Sequence, residues 1–366
     1  MDERAADADR IARLRLIRSD RVGPVTYFQL LARFGSAVAA LEAIPELAAR
    51  GGGSAPRLAG PDVAMREIEL VTRLGARHLF LGQADYPLLL AELESAPPVL
   101  VVKGDCSLLE RQSVALVGAR NASAAACRFA RMLARQLGEA GTAIVSGLAR
   151  GIDSAAHDGS LETGTIAVVA GGIDIVYPPE NEARQTAIAE RGLLIAEQPP
   201  GTEPRSRHFP WRNRIIAGLA SGTVVIEAAP RSGSLITARL AAESGREVMA
   251  VPGSPLDPRA QGCNLLIREG ATLVQNAEDV LEAIRPLFAP GVRQPAEAFA
   301  APATPSDVSE DQRRQVTSML GGTPVPVDEL VRQAGLAPAI VQTVLLELEL
   351  AGRLDRHAGG RVSLEC

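Results

Sequence analysis

The most constraining feature of the sequence is a pattern that recurs between residues 113 and 271, in which a short apolar run passes directly into glycine and small polar residues. Four such runs cover residues 113–118, 143–147, 165–172 and 222–227. Uninterrupted runs rich in valine and isoleucine are typical of strands buried in a parallel sheet, and the glycine allows a tight turn into a helix. The sequence therefore predicts an α/β domain built on a mostly parallel sheet.

The turns that follow these runs carry candidate binding residues. In a parallel sheet, the carboxyl ends of strands and the amino ends of helices share one edge, where backbone N–H groups and helix dipoles attract anions. Arg120, Arg150 and Arg231 stand at three turns, and a guanidinium group can hold a phosphate with two hydrogen bonds. At any single turn the glycine could serve only to allow a tight bend. Because four turns share glycine and small polar residues, the pattern favours an anion-binding site. The spacing leaves open whether the anion is a mononucleotide or a nucleic acid.

Length and composition set the class of protein. The chain has 366 residues, 46% of them apolar, which is enough for two or three domains with full cores. It has no apolar stretch near ~18 residues, and its first residues are polar, so we expect neither a membrane span nor a signal peptide. The four cysteines lack metal-ligand spacing. We expect a cytoplasmic protein with free thiols and with no metal or cofactor.

The net charge of −5 conceals a basic segment beside the glycine turns. Between Gly201 and Arg246 there are seven arginines and three acidic residues, a local charge of +4. Four of these arginines alternate with two aromatic residues: Arg205, Arg207, Phe209, Trp211, Arg212 and Arg214. Cations hold the backbone of a single strand and aromatic faces stack on its bases, so the segment favours single-stranded nucleic acid. The alternative is that both aromatic side chains only anchor a loop onto the core.

Residues 1–63 are predicted to form a small helical domain. Apolar residues recur at helical spacing within residues 11–17 and again within 27–34. Between them, residues 21–26 resemble the turn of helix-hairpin-helix and sterile-alpha-motif-like (SAM-like) domains, which can touch a phosphate backbone. A turn used only for packing is the alternative. The sheet domain is then predicted to cover residues 64–288.

The C-terminal part is predicted to be a winged helix-turn-helix. An Ala/Pro-rich stretch at residues 289–308 indicates a linker, and residues 309–366 show three helices followed by a short hairpin. In this fold the third helix can enter a DNA groove. Here it carries Glu347 and Glu349 and no arginine, and acidic residues outnumber arginines eight to six in the domain. We therefore expect this domain to contact protein rather than DNA.

Enzymes that use nucleotides have motifs that this sequence lacks. A dinucleotide site needs GxGxxG, whereas the first turn supplies only Gly118 followed by Arg120, and no P-loop run exists. Asp153 and His157 lie four residues apart and could form a general base with an orienting carboxylate. No further serine, cysteine or carboxylate is tied to them by spacing. We therefore favour structural roles for both, as a helix cap and a packed polar residue.

Seven motifs occur in order over about residues 64–290. They are Tyr86-Pro87, Pro97-Pro98, Val117-Gly118-Ala119-Arg120, the segment from Ser146 to Asp153, the segment from Phe209 to Gly218, Ser232-Gly233-Ser234 and Val251-Pro252-Gly253. This series resembles the DNA-processing protein A family, also called DprA or Smf. The resemblance implies an extended Rossmann-like fold that binds single-stranded DNA, forms a homodimer and is not an enzyme. It also implies protection of incoming DNA and loading of RecA onto it during natural transformation.

The resemblance further implies which residues contact DNA. Arg120 would hold backbone phosphate, and Phe209 would contact a base. Arg150, Arg212 and Arg214 would line the basic pocket, with Arg205 or Arg207 in place of a loop lysine that is common in the family. The predicted DNA-binding set also contains Gly118, Ser146, Gly147, Asn213, Ser232, Gly233 and Ser234.

Two other functions stay open. An enzyme of the related phosphoribohydrolase-like group would hydrolyse nucleotide glycosidic bonds on a similar sheet, but its glycine-rich PGGxGT turn is replaced here by residues 231–237. A scaffold that joins RecA-like partners through the winged helix would show weak or no DNA binding by the sheet domain.

Overall fold

The computed structural model describes residues 3–285, 308–357 and 359–365. The chain divides into two compact units, one of residues 67–291 and the other of residues 1–66 together with 292–366. The N-terminal helices and the winged helix, predicted as separate domains, therefore belong to one unit. The predicted linker at residues 289–308 lies outside the described residues, apart from Val308.

The described residues form the following regular elements. The helices are α1 (Glu3–Ile17), α2 (Pro24–Phe34), α3 (Ala37–Arg50), α4 (Pro61–Arg73), α5 (Leu88–Ala91), α6 (Ala124–Glu139), α7 (Ile152–Ser160), α8 (Glu182–Arg191), α9 (His208–Leu219), α10 (Gly233–Glu243), α11 (Gln261–Arg268), α12 (Ala277–Ile284), α13 (Glu310–Ser318), α14 (Val327–Ala334) and α15 (Pro338–Leu350). The strands are β1 (Arg77–Phe80), β2 (Val99–Gly104), β3 (Ser113–Gly118), β4 (Ala143–Ser146), β5 (Thr165–Val169), β6 (Leu193–Ala196), β7 (Gly222–Ile226), β8 (Glu247–Ala250), β9 (Thr272–Leu273), β10 (Val325–Pro326), β11 (Leu354–His357) and β12 (Arg361–Leu364). Short 3₁₀ turns cover Cys106–Glu110 and Pro179–Asn181.

The larger unit is organised by a nine-stranded sheet in the order β1-β2-β6-β5-β4-β3-β7-β8-β9. β2 runs antiparallel to both β1 and β6, and all other neighbouring strands are parallel. The mostly parallel, extended Rossmann-like sheet predicted from the sequence is confirmed. The antiparallel pairs lie at one end of the sheet, away from the glycine turns of β3, β4, β5 and β7.

Both faces of the sheet are covered, which explains the uninterrupted apolar runs. In β3 the side chains of Val114 and Leu116 lie in one core, while Ala115 and Val117 lie in the other. Successive residues of a strand point to opposite faces, so a strand buried on both faces is mostly apolar, without the alternation of a half-exposed strand. The run at residues 113–118 is therefore the signature of a central strand.

The strand order places a crevice beside β3. From β3 the chain moves through β4 and β5 to β6 on one side, and it then returns to β7 on the other side of β3. Such a reversal separates the turns at the carboxyl ends of the two strands, and this is where open α/β sheets bind ligands. The turns at Gly118 and Arg231 flank this crevice.

In the smaller unit, α1, α2 and α3 share a core with the winged helix. Leu346 and Leu350 of α15 are buried in the same cluster as Tyr27, Leu30 and Ile44 of the N-terminal helices. The predicted three helices and hairpin of the winged helix are confirmed as α13, α14, α15, β11 and β12. No helix within the described ranges is long and apolar enough to span a membrane.

Candidate nucleic-acid interface

Arg120 and Phe209 meet at the carboxyl edge of the sheet. Arg120 follows β3 and is exposed, whereas Phe209 lies in the first turn of α9 and is half-buried. The Cζ atom of Arg120 lies 5.2 Å from the centre of the Phe209 ring, within the range of a cation–π interaction. The fold thus places the arginine predicted to hold phosphate against the ring predicted to contact a base.

The contact between Arg120 and Phe209 stands between two cavities. The β4–β5 cavity, of about 380 Å³, is lined by the turns after those strands and by Tyr177. The β3–β7 cavity, of about 570 Å³, occupies the crevice and is lined by Gly118, Arg231 and the start of α10. Arg120, Phe209 and Arg212 line both cavities. A chain with alternating planar and anionic groups could therefore contact both sides of one ring.

Arg212 forms the buried floor between the cavities. It is 6% exposed, its Nη1 donates to the Val168 carbonyl oxygen at 3.3 Å, and its Cζ lies 6.0 Å from the Phe209 ring. Burial lowers the pKa of Arg212 to about 10, against the opposing effect of Asp153, so the guanidinium stays charged at neutral pH. A Cβ atom on Gly147 would lie 1.4 Å from Nη1 of Arg212. Gly147 is therefore the residue that leaves room for this cation.

Asp153 and His157 do not form the catalytic pair that their spacing allows. The Asp153 carboxylate accepts from the Ala149 N–H at 3.3 Å, and burial raises its pKa while the Arg212 charge opposes the rise. The Nδ1 atom of His157 lies 2.7 Å from Oγ1 of Thr165, and burial lowers the pKa of this imidazole to about 3. His157 is a packed polar residue, as favoured from the sequence. Asp153 is not the expected helix cap, because the N-cap of α7 is Gly151 and the Asp153 carboxylate instead accepts from the loop before the helix.

The amino end of α10 borders the β3–β7 cavity. The Ser232 hydroxyl caps this helix by accepting from the Ser234 N–H, and it also bonds the Ser234 hydroxyl at 2.8 Å. Asn213 of α9 donates to the Gly233 carbonyl oxygen at 3.3 Å, which links the two helices at the cavity wall. A Cβ atom built on Gly233 meets nothing within 4 Å, so its backbone is open to an approaching ligand.

Arg150 lines the β4–β5 cavity but is already paired. Its side chain is 62% exposed and forms an ion pair with Glu180, whose pKa is lowered by a backbone hydrogen bond and by Arg150. An exposed ion pair is weak and is readily exchanged for another anion. Arg150 can therefore turn to a phosphate at little cost.

Other predicted residues lie away from the two cavities. Arg214 pairs with Glu197 at 2.5 Å, with only 12% of its side chain exposed. Arg214 was predicted to line the pocket, and it does not. It lies two residues after Arg212 in α9, and this spacing directs its side chain to nearly the opposite face of the helix. Ser146 is fully buried and donates to the Leu116 carbonyl oxygen at 2.6 Å. Its hydroxyl supports the sheet and has no surface to offer a ligand.

Arg205 and Arg207 lie on the exposed approach to α9, outside the lining of both cavities. Gly118 does line the crevice, yet its main constraint is packing. A Cβ atom there would lie 1.9 Å from the Ile226 carbonyl oxygen and 2.6 Å from the Ile152 side chain. The glycine thus lets β3, β7 and α7 approach one another.

Glu227 lies at the carboxyl edge of the sheet, outside the lining of both cavities, and the sequence reasoning gave it no role. It directly follows β7 with a φ of 51°, and its carboxylate accepts from the N–H and the hydroxyl of Ser123 at 2.8 and 2.6 Å. Ser123 caps α6, so the carboxylate occupies the helix amino end where a dinucleotide site would bind pyrophosphate. The position of a glutamate immediately after a strand was the available signal. The position of this carboxylate argues against dinucleotide binding, in addition to the absence of a GxGxxG motif.

No cluster of three or more His, Cys, Asp or Glu side chains suited to a metal ion occurs among the described residues. The site is instead built from guanidinium groups, an aromatic ring and helix amino ends.

Comparison with known proteins covers all three parts of the chain. Residues 77–285 match the family model described as DNA recombination-mediator protein A. Residues 7–69 match a DprA-like N-terminal HHH domain, and residues 300–360 match a DprA winged helix domain. These matches agree with the predicted order of a helical domain, a sheet domain and a winged helix.

Similar proteins carry the same family name. A DNA processing protein DprA from Streptococcus pneumoniae is 48% identical over 198 residues, 54% of this chain and 70% of that protein. A putative DprA from Mycobacterium tuberculosis is 38% identical over 314 residues, 81% of this chain and 79% of that protein. A solved structure of DNA processing protein A from Helicobacter pylori, described for its single-stranded DNA binding mode, is 28% identical with a TM-score of 0.53 and covers 58% of this chain and 98% of that one. The chain therefore belongs to the DprA/Smf family of DNA-processing proteins.

Proposed function

We propose that this chain binds single-stranded DNA at the carboxyl edge of its sheet. The observation that carries the proposal is the placement of Arg120 and Arg212 within 5.2 and 6.0 Å of one ring, Phe209, between two cavities. Cations beside an accessible aromatic face are the combination that holds a single strand. The Helicobacter pylori relative is described for single-stranded DNA binding, which supports the same ligand here.

The two kinds of group at the site have different tasks in this proposal. Phe209 stacks on an unpaired base, which a duplex cannot offer because its bases are already stacked. Arg120 and Arg150 hold backbone phosphates. At the crevice, phosphates approach the amino end of α10 beside Ser232, Gly233, Ser234 and Asn213, where the helix dipole favours an anion. Gly118, Ser146 and Gly147 act by shaping the turns.

The finer aspects of function are proposed on the family resemblance. We propose that the chain protects incoming DNA and loads RecA onto it during natural transformation, in the cytoplasm and as a homodimer through the sheet unit. We also propose that it binds rather than catalyses. This is supported by the engagement of Asp153 and His157 with structural partners and by the Glu227 carboxylate at the start of α6.

The decisive measurement is a fluorescence-anisotropy titration with a labelled single strand, the matched duplex and a mononucleotide, each at two salt concentrations. We expect tight, salt-sensitive binding that favours the single strand. Binding of the mononucleotide alone would favour a phosphoribohydrolase-like enzyme. Binding of none of the three would favour a scaffold that meets its partners elsewhere.

Two variants test the site itself. Phe209→Ala is expected to weaken binding by about five- to 150-fold, the range for loss of one stacked base, without changing the salt dependence. Arg120→Ala is expected to weaken binding and to reduce the slope of log K against log salt by about 0.7, the contribution of one cationic contact to a single strand. Arg135→Ala is the matched control, since Arg135 is an exposed, ion-paired arginine of α6 that lines neither cavity. Unchanged affinity in both site variants would refute the interface.

A further inference from the structure

Trp211 is an exposed aromatic residue that the site described above does not use. It is the only tryptophan in the chain, and it is 48% exposed. It lies in the first turn of α9, two residues after Phe209, so it projects from nearly the opposite side of the helix. Neither cavity is lined by Trp211. A large half-exposed ring outside the core needs an explanation other than packing.

The ring is held in place by a buried neighbour. His208 is 4% exposed, and its ring stacks on that of Trp211 with centres 5.8 Å apart and planes inclined by 24°. The Nδ1 atom of His208 accepts from the Arg205 N–H at 3.3 Å, which fixes the histidine in turn. Trp211 is therefore an ordered aromatic surface before any ligand arrives, and binding to it costs little side-chain entropy.

Cations stand beside this surface. The Cζ atom of Arg207 lies 6.0 Å from the centre of the Trp211 ring, and Arg205 precedes it on the same exposed segment. Within the described ranges, the salt bridges of residues 201–243 involve Arg214 and Arg239, and neither Arg205 nor Arg207 forms one. An exposed ring beside the Arg207 cation, with Arg205 on the same exposed segment, suits a ligand with planar groups on an anionic backbone, and not an apolar partner surface.

We propose that Trp211, with Arg205 and Arg207, is a second stacking platform that takes another unpaired base of the DNA strand bound at Phe209. The proposal rests on the proposed function and adds a direction to it: the strand leaves the cavities and crosses the amino end of α9. A helix with its side chains is about 10 to 12 Å wide, and stacked nucleotides advance about 3.4 Å each. About three or four nucleotides therefore separate the two bases.

The single tryptophan makes the test direct, because its intrinsic fluorescence reports on this position alone. Oligothymidylates of about two to twelve nucleotides are titrated while anisotropy of a 5′ label and tryptophan emission are followed together. We expect quenching to begin only once the strand exceeds about four nucleotides, whereas binding at Phe209 begins with shorter strands. Tight binding of long strands with unchanged emission would overturn the platform and leave the proposed function intact. Loss of binding at every length would overturn both.

Variants and a modified strand complete the design. Trp211→Ala is expected to weaken binding of long strands by about five- to tenfold and to leave short strands unaffected, while Trp211→Phe keeps most of the affinity. Leu88→Ala is the control, since Leu88 is an apolar side chain of the same unit that is 68% exposed. A strand with abasic sites along the segment that crosses α9 should bind without quenching. Equal quenching by that strand would show that backbone contacts alone disturb the ring, and it would overturn base stacking.

Discussion

Arg120 and Phe209 stand open at the edge of the sheet, whereas α15, the third helix of the winged helix, is buried on two sides. Leu346 and Leu350 of α15 lie in the core of the N-terminal helices, 2% and 0% exposed. Proteins that read DNA with a winged helix place the corresponding helix in the major groove. Here that surface is used as an internal packing face. Membership of a DNA-binding fold class therefore does not identify which surface meets DNA.

The charges of α15 agree with this difference. Glu347 is 1% exposed and accepts two hydrogen bonds from the Arg313 guanidinium, at 2.7 and 3.0 Å. Glu349 accepts from Arg356 at 2.8 Å. The acidic residues that made the helix a poor candidate for DNA thus hold the winged helix together. The contact of this domain with a protein partner stays a prediction.

The largest expected effect is that of Leu350→Ala, which tests whether α15 serves packing and not DNA binding. Truncation of a fully buried leucine leaves a cavity, and we expect the smaller unit to lose about 2 to 5 kcal/mol of unfolding free energy. Circular dichroism follows the whole chain, while emission of Trp211 follows the sheet unit alone. We expect only the first signal to shift, with unchanged affinity for single strands. Val38→Ala, at a 51% exposed position of α3, is the control. A loss of DNA affinity in Leu350→Ala would show that α15 contributes to binding.

Acid is expected to weaken the sheet unit through a buried histidine. His157 is buried there with a pKa lowered to about 3, against 6.5 for an ordinary histidine. Between these values the unfolded state binds a proton that the folded state excludes, so stability falls as the pH decreases from 6.5 towards 3. Below pH 6.5 the unfolding free energy falls by about 1.4 kcal/mol per pH unit, so about 2 kcal/mol is lost at about pH 5.

The measurement is denaturant unfolding followed by Trp211 emission, at about pH 7 and about pH 5. Carboxylates also titrate in this range, so the wild type is compared with His157→Gln. The variant should lose part of the pH dependence whatever its absolute stability. An identical pH dependence in both proteins would mean that the buried imidazole does not control acid unfolding. His357, in the other unit, is exposed and serves as the control position.

The sequence predicted the architecture of the sheet edge better than its side-chain contacts. Apolar runs ending in glycine located β3, β4, β5 and β7, because strands buried on both faces are mostly apolar and do not alternate with polar residues. Arg212 and Arg214 were predicted to act together, yet one lies under the Phe209 ring and the other pairs with Glu197. Helical spacing of two residues would have separated them. The approach of Arg120 to Phe209 depends on strand order, which no local pattern encodes.

The packing of the N-terminal helices on α15 could not be predicted from the sequence either. The sequence of α15 is apolar nearly all round. Val344 and Leu348 are buried in the core of the winged helix, and Leu346 is buried in the core that α15 shares with the N-terminal helices. A helix of this kind must be buried on both sides. The helices that cover its second face lie some 300 residues earlier in the chain. Gln29 of α2, for example, accepts a hydrogen bond from Arg356 and donates one to Gln342.

The smallest expected effect tests the buried floor of the site. In Gly147→Ala the new Cβ atom would fall 1.4 Å from Nη1 of Arg212 and 2.8 Å from Oδ2 of Asp153, so the guanidinium must move. We expect about tenfold weaker binding of single strands, or about 1.4 kcal/mol. Arg212→Met, which removes the charge and leaves the glycine, should show a similar loss. Anisotropy gives the affinity, and Trp211 emission verifies that the sheet unit is folded.

The matched glycine is Gly321, which has open space around its Cβ position and lies in the other unit. Gly321→Ala should leave affinity for single strands unchanged, because nothing must move to admit the methyl group. If Gly147→Ala also retained wild-type affinity while Arg212→Met lost it, the guanidinium would have found another productive position. If both retained it, the cation beneath Phe209 would not take part in binding. The cationic contacts of the open edge would then come from the exposed Arg120 and Arg150, whereas the charges of α15 are paired with residues of their own unit.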